Sequence, residues 1–161
     1  MTFRTLASQL ERFGVSESDV QSALSQTTPA EAAWQLMNDA SERLTSEGDF
    51  DRLSNLYLEM ALQLDRENRP FTPLLCQAQR TRLLAIEQQF QDTPELLKGV
   101  TIGFGWCPAC SRLDGQRMTL EEAMRLQPLP CSECTNQSAS GRTGWCRCLY
   151  LPDLADAGGD R

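Results

Sequence analysis

The chain has 161 residues, which is enough for one ordinary domain or for a domain with a small appendage. Hydrophobic residues make up 40% of it, so a modest core can form, and this argues against disorder of the whole chain. The formal net charge of −7 argues against a general role in binding nucleic acids or anionic membranes.

The first residues lack the long apolar run of a signal peptide, and no stretch approaches the roughly 18 apolar residues of a membrane span. We therefore expect a soluble, cytoplasmic protein without a membrane partner. Because thiols stay reduced in the cytoplasm, the seven cysteines indicate metal or redox chemistry more than a disulfide framework.

The segment from Thr2 to about Asp92 has the periodicity of amphipathic helices and predicts a bundle of about five. Residues 16–19 and 28–31 each have the pattern of a capping box, in which an acidic residue follows a serine or threonine three positions later. Residues 72–73, a threonine before a proline, predict a capped start for the fifth helix.

The fifth predicted helix carries one of the seven cysteines. At about 100° per residue, its apolar face consists of Leu75, Cys76, Leu83, Ile86 and Phe90. A free cysteine in such a place behaves as a small hydrophobic residue. We therefore expect Cys76 to be part of the helical core.

Residues 34–67 contain a pattern of large and small residues that includes Trp34, Leu44, Gly48 and Tyr57. The pattern resembles a single tetratricopeptide repeat. The following residues show no second copy at the period of about 34 residues, and repeat folds need several stacked units to bury their faces. We therefore expect an ordinary helical hairpin in this segment.

The composition changes near residues 92–100, from leucine- and glutamine-rich sequence to glycine, proline and cysteine. Residues 100–106 alternate like a strand, and a capping box at residues 119–122 predicts one short helix. These features predict a helical domain over residues 1–94, a cysteine-rich module over 95–152 and a flexible tail over 153–161. The predicted fold class is mainly α, with a short strand or hairpin in the module.

Six cysteines in the module form three closely spaced pairs. They are Cys107 and Cys110, Cys131 and Cys134, and Cys146 and Cys148. Two Cys-x-x-Cys pairs separated by about twenty residues are a specific zinc signature, because four thiolates can surround one tetrahedral ion. Since the chain has no histidine, ligation by sulfur alone favours zinc, with an iron–sulfur cluster as the next choice. We expect one Zn²⁺ per chain, which stabilises the module.

Six cysteines for four coordination positions leave the ligand set open. Spacing favours the symmetrical set of Cys107, Cys110, Cys131 and Cys134. A rival set replaces Cys131 by one member of the last pair. The first pair and Cys134 belong to both sets.

Four short motifs follow one another in the module: Cys-Pro-Ala-Cys at 107–110, Leu-Asp-Gly at 113–115, Leu-Pro at 129–130, and Cys-Arg-Cys at 146–148 before Pro152. Together they resemble the C-terminal segment of Mu-type phage head-morphogenesis (minor head) proteins. That family usually has a histidine shortly before Cys-Arg-Cys, and this chain has none.

The resemblance has three implications for the module. It implies that Cys131 or Cys134 supplies the ligand that the family takes from histidine. It also implies that Cys146 and Cys148 lie near the metal and that residues 114–115 form a tight turn. By analogy it suggests a role related to phage heads, although a shared motif does not fix function.

The sequence predicts a non-enzymatic zinc-binding protein, in which a helical interaction domain with an unidentified protein partner precedes a structural zinc module. A closed set of cysteine ligands leaves no open position for a reacting water, and no histidine is present for general-base catalysis. We therefore predict no catalytic residues.

Two alternatives remain open at this stage. The module contains five arginines and two tryptophans: Arg112, Arg117, Arg125, Arg142 and Arg147, with Trp106 and Trp145. Such groups suit phosphate contact and base stacking, so a nucleic-acid-binding protein that is similar to a zinc ribbon is one alternative. A thiol redox protein that uses Cys107 and Cys110 is the other, although the βαβ framework of such enzymes is not evident.

Overall fold

The computed structural model describes residues 3–155. The first part of the chain consists of five helices in succession: α1 Phe3–Glu11, α2 Glu17–Gln26, α3 Pro29–Glu47, α4 Phe50–Arg66 and α5 Thr72–Gln89. The prediction of about five helices is confirmed. Among the described residues, no helix has both the length and the apolar character that crossing a membrane requires.

Side-chain caps determine where α2 and α3 begin. The Ser16 side chain accepts the N–H of Asp19, and the Asp19 carboxylate accepts the N–H of Ser16 at 2.9 Å. Thr28 and Glu31 form the same reciprocal pair at the start of α3, which ends at Gly48 in the left-handed conformation. Both predicted capping boxes are therefore confirmed.

The capping residue of α5 differs from the prediction. Thr72 is the first helical residue, and the N-cap is Phe71, whose side chain makes no capping hydrogen bond. Phe71 is buried instead, in an apolar cluster with Leu75. Burial of a large apolar side chain contributes about 1.5–3 kcal/mol, which exceeds the roughly 1 kcal/mol of a typical cap.

Cys76 is exposed, so the prediction that it is a core residue is wrong. The buried face of α5 includes Leu75, Ala78, Leu83 and Ile86. Since successive residues of an α-helix are about 100° apart, Cys76 lies at the margin of this face. Its side chain faces solvent there.

The largest apolar cluster lies among α1, α2, α3 and α4. Leu10, Val20, Leu44 and Leu56 are completely buried in it. Trp34 is partly buried against the same cluster. The helical domain therefore has a core of its own.

The module after α5 contains a small antiparallel sheet. Its strands are β1 Leu97–Gly103, β2 Arg117–Met118 and β3 Leu149–Leu154, in the order β2-β1-β3. Two short helices lie between the strands in sequence: α6 Pro108–Ser111 and α7 Leu120–Leu126. These elements confirm the predicted class, which is mainly α with a small β element in the module.

Strand β3 reaches into the segment predicted as a tail. Asp153 pairs with Gly99, and Leu154 pairs with Leu97. The N–H of Ala155 donates to the Leu96 carbonyl at 2.8 Å. The tail prediction therefore does not describe residues 153–155, because backbone hydrogen bonds order them. The rest of the predicted tail, from residue 156 onward, lies outside the described residues.

Helix α5 contributes to two apolar clusters. Leu83 and Ile86 are buried together with Val100 and Ile102 of β1 and with cysteines of the module. Near the start of the helix, Leu75 packs with residues of α4. The module thus shares its core with the last helix of the bundle.

Candidate metal centre

Five cysteine sulfur atoms converge in the interior of the module. They form two groups of three, within each of which the sulfur atoms lie within 4.8 Å of one another: Cys107, Cys110 and Cys134, and Cys110, Cys146 and Cys148. Cys110 is common to both groups. All five side chains are buried.

The spacing of the sulfur atoms suits thiolate ligation. The Sγ atoms of Cys107 and Cys134 are 4.0 Å apart, and those of Cys110 and Cys146 are 3.9 Å apart. Four thiolates at about 2.3 Å from a tetrahedral zinc ion lie about 3.8 Å from one another. These two distances therefore fit edges of a tetrahedral site.

The first cysteine pair is arranged by the start of α6. Cys107 is the N-cap residue, and its Sγ accepts the N–H of Cys110 at 3.4 Å. Hydrogen bonds from the backbone N–H groups of Thr135 and Cys110 lower the pKa of Cys107 to about 6. The local backbone thus favours the thiolate form that binds metal.

The loop before α6 is held in one conformation. The N–H of Gly105 donates to Asp114 Oδ1 at 3.2 Å, and Ser111 Oγ donates to the Gly105 carbonyl at 2.9 Å. A Cβ atom at Gly105 would lie 2.6 Å from the Cys110 carbonyl oxygen, so a side chain does not fit there. The expected turn at residues 114–115 is present, with Gly115 at a φ of 76°.

The structure places the sulfur of Cys131 in neither group. Cys131 is half-buried, and its backbone N–H donates to Cys146 Sγ at 3.3 Å. Its main chain therefore supports the site, whereas the sulfur of Cys134 lies in the cluster. This placement resembles the rival ligand set, in which Cys146 or Cys148 is the fourth ligand.

The inner thiols are buried together without a compensating positive charge among them. Burial raises the pKa values of Cys110 and Cys134, and it raises the pKa of Cys148 to about 12. Burial alone thus favours the neutral thiols. A bound cation favours the thiolates instead, because it stabilises coordinating thiolates directly. Since every converging group is a sulfur, the site suits a soft ion such as zinc.

Two buried side chains of the helical domain contact the module. Asp65 of α4 accepts a hydrogen bond from Ser138 Oγ at 2.7 Å, and Gln79 Nε2 of α5 donates to the Cys148 carbonyl at 2.8 Å. The sequence analysis missed both residues. A polar residue on an apolar helix face could have indicated Asp65, because it lies one turn after the buried Ala61.

Several groups required by the nucleic-acid alternative are engaged within the protein. Arg112 forms a salt bridge with a glutamate of the module. The guanidinium of Arg142 lies 5.1 Å from the centre of the Phe71 ring, and the Trp145 ring packs against the same phenylalanine. Trp106 is the exception, because it is 71% exposed. The contacts of Arg112, Arg142 and Trp145 do not favour that alternative.

The framework around the first cysteine pair differs from that of thiol oxidoreductases. The described sheet is antiparallel, and Cys107 follows β1 through a short loop. A βαβ unit with parallel strands is the usual setting of a redox Cys-x-x-Cys. The structure therefore offers no support for the redox alternative.

Comparison of the chain with protein-family models, curated proteins and solved structures finds no match. The resemblances to phage head-morphogenesis proteins and to a tetratricopeptide repeat stay predictions. Function is therefore argued from the geometry of the site.

Proposed function

We propose that the protein is a non-enzymatic zinc-binding protein, in which one structural zinc ion stabilises a small module attached to a helical interaction domain. The observation that carries this proposal is the convergence of five buried cysteine sulfur atoms around Cys110. Such a set of soft, buried ligands is typical of structural zinc sites.

The favoured ligands are Cys107, Cys110 and Cys134, with either Cys146 or Cys148 as the fourth. The first three form one of the two close groups, and Cys110 connects that group to the last pair. One tetrahedral ion binds four thiolates, so one of the five thiols is left over. Burial favours the neutral form of that remaining thiol.

A structural role follows from where the ligands lie in the chain. Cys107 follows β1, Cys134 lies in the segment after α7, and the last pair directly precedes β3. One ion would therefore connect three segments, of which the one with Cys134 contributes no strand to the small sheet. Small modules of this kind commonly depend on a metal for stability, because their apolar core is limited.

A closed site with four thiolate ligands leaves no coordination position for a reacting water, which supports a role without catalysis. A protein partner of the helical domain is part of the proposal. A role related to phage heads rests on the sequence resemblance alone.

Metal analysis of the full chain tests the proposal. Protein purified under reducing conditions is expected to contain about one zinc ion per chain and to lose the fold of its module on treatment with a chelator. Cys76→Ser is the matched control, because Cys76 is exposed on α5 and should leave the zinc content unchanged. Metal-free protein with an undisturbed module would refute the proposal, and iron with visible absorption would identify an iron–sulfur cluster instead.

A further inference from the structure

With the proposed zinc centre as its basis, we infer that Asp65 and Gln79 of the helical domain are positioning residues for the metal ligands. Both side chains are buried, with 2% and 4% of their surface exposed. They hold the main chain on either side of Cys146, and zinc affinity depends on them although neither touches the metal.

The segment between Cys134 and Cys146 needs support from outside. Residues 135–145 form no helix or strand, and their backbone makes a few turn hydrogen bonds and one isolated bridge, between Gln137 and Thr143. Fixing such a segment costs conformational entropy. Part of the free energy of metal binding must offset this cost, unless other contacts fix the segment first. The position of this loop therefore decides whether the ligands at its two ends face the first cysteine pair.

Asp65 holds the middle of this loop. Its Oδ1 accepts the Ser138 hydroxyl at 2.7 Å, and its Oδ2 accepts the N–H of Ser140 at 3.3 Å. Ser138 Oγ in turn accepts the N–H of Arg142 at 3.1 Å. One carboxylate on α4 thus makes two contacts with the loop and holds the hydroxyl that makes a third contact within it.

The carboxylate and the loop depend on each other. Burial acts to raise the pKa of Asp65, but hydrogen bonds from Ser138 and Ser140 and the charge of Arg142 outweigh burial and lower it. The ionised group is therefore stabilised by the loop itself. If the loop left its docked position, the carboxylate would lose these hydrogen bonds and the nearby charge of Arg142, so the ionised form of Asp65 and the docked loop stabilise each other.

The connection between α4 and α5 receives the end of the same loop. Arg142 Nη1 donates to the Arg69 carbonyl at 2.5 Å. The ring of Trp145, next to Cys146, has its centre 5.1 Å from that of Phe71. Polar and apolar contacts thus hold the residues that lead into the Cys-Arg-Cys segment.

Gln79 holds the far side of that segment. Its Nε2 donates to the Cys148 carbonyl at 2.8 Å, and Cys148 is completely buried. The hydrogen bond fixes the main chain from which both thiols of the last pair project. Asp65 and Gln79 therefore act at two points on one continuous stretch, from residue 138 to residue 148.

Docking of this stretch brings the later ligands toward the first pair before a metal arrives. Loss of outer residues that orient metal ligands typically lowers metal affinity by roughly 10- to 100-fold. Because coupling between two equilibria is reciprocal, zinc must strengthen docking of the loop on α4 and α5 by the same factor.

Competition with a chromophoric chelator, in the full chain at neutral pH, measures the zinc affinity that tests this inference. Asp65→Asn and Ser138→Ala each remove part of the same contact, from opposite sides, and each is expected to weaken zinc binding by roughly 10- to 100-fold. Glu59→Gln is the matched control. Glu59 is also on α4, and its hydrogen bond with Gln9, at 2.6 Å, and its salt bridge with Arg12 both lead to α1 and the residue after it.

Further readouts separate positioning from a loss of fold. Cobalt substitution should give the same tetrahedral thiolate spectrum in Asp65→Asn as in the unchanged chain, at a higher cobalt concentration. The double variant with Ser138→Ala should lose less affinity than the sum of the two single variants. Unchanged zinc affinity in both single variants would overturn the inference while the zinc centre stands, whereas absence of zinc from the unchanged chain would overturn the centre itself.

Discussion

Substitution of Cys110 by serine is expected to impair metal binding more than substitution of any other cysteine. Its sulfur belongs to both groups of converging thiols and lies 3.9 Å from that of Cys146. Without it, neither group retains three sulfur atoms. The fifth thiol cannot restore the site, because Cys110 is the residue whose sulfur joins the two groups.

The expected magnitude follows from the number of ligands. Structural zinc sites contribute about 10–16 kcal/mol of apparent binding free energy at neutral pH. An equal share for each of four thiolates is about 2.5–4 kcal/mol, so loss of one ligand weakens binding roughly 100-fold or more. Cys110→Ser should reach at least this value. Substitution of Cys146 or of Cys148 alone should stay below it, because the other thiol can take the fourth position.

The assay is chelator competition on a series of single cysteine-to-serine variants. Cys107 and Cys134 should follow Cys110 in the size of the effect, since each supplies a sulfur to one group only. Cys131→Ser should bind zinc nearly as well as the unchanged chain, because its contact with the cluster is made by a backbone N–H. Cys76→Ser provides the baseline.

One result would refute this reasoning. If Cys131→Ser lost zinc as completely as Cys107→Ser, the symmetrical ligand set favoured by spacing would be correct. The placement of the Cys131 sulfur outside both groups would then not describe the metal-bound protein.

Three further substitutions test separate parts of the structure. Burial raises the pKa of Tyr150 from 10.0 to about 12, so its contribution to stability is complete below pH 10 and is lost as the pH rises toward 12. Tyr150→Phe should remove this alkaline loss in denaturant unfolding, and an unchanged pH profile would contradict it. Thr28→Ala removes a capping hydrogen bond and should lower the free energy of unfolding by about 1 kcal/mol in urea, whereas no change would exclude a stabilising cap. Gly105→Ala would bring a Cβ to 2.6 Å from the Cys110 carbonyl oxygen and should weaken zinc binding, and unaltered affinity would show that the loop adapts.

Local signals predicted the helices well, because a capping box depends on residues three positions apart. Ser16 and Thr28 begin α2 and α3 in this way, and Thr119 does so for α7. The fifth helix begins at Thr72 as predicted, but its N-cap was not predicted, since burial of Phe71 depends on contacts with other helices. The prediction that Cys76 is buried was wrong for a related reason. Periodicity identifies the apolar face of a helix but not how far along its margins burial extends.

The candidate site was predicted in kind but not in detail. Spacing identified the cysteines as candidate metal ligands, because Cys-x-x-Cys has a local geometry that suits one ion. It could not distinguish Cys131 from Cys146, since their arrangement depends on how the chain returns after α7. The contact between Asp65 and Ser138 joins distant parts of the sequence, and no local pattern encodes it.

The change in composition near residue 94 does not coincide with a break in packing. Leu83 and Ile86 of α5 are buried in the same cluster as Val100, Ile102 and the converging cysteines. Amino-acid composition differs between helices and loop-rich segments, whereas a core forms wherever apolar faces pack together. Since α5 supplies both apolar side chains and Gln79 to the module, the fifth helix packs with the candidate metal centre as well as with the bundle. The unit that a metal ion would stabilise therefore extends across this change in composition to α5 and, through Asp65, to α4.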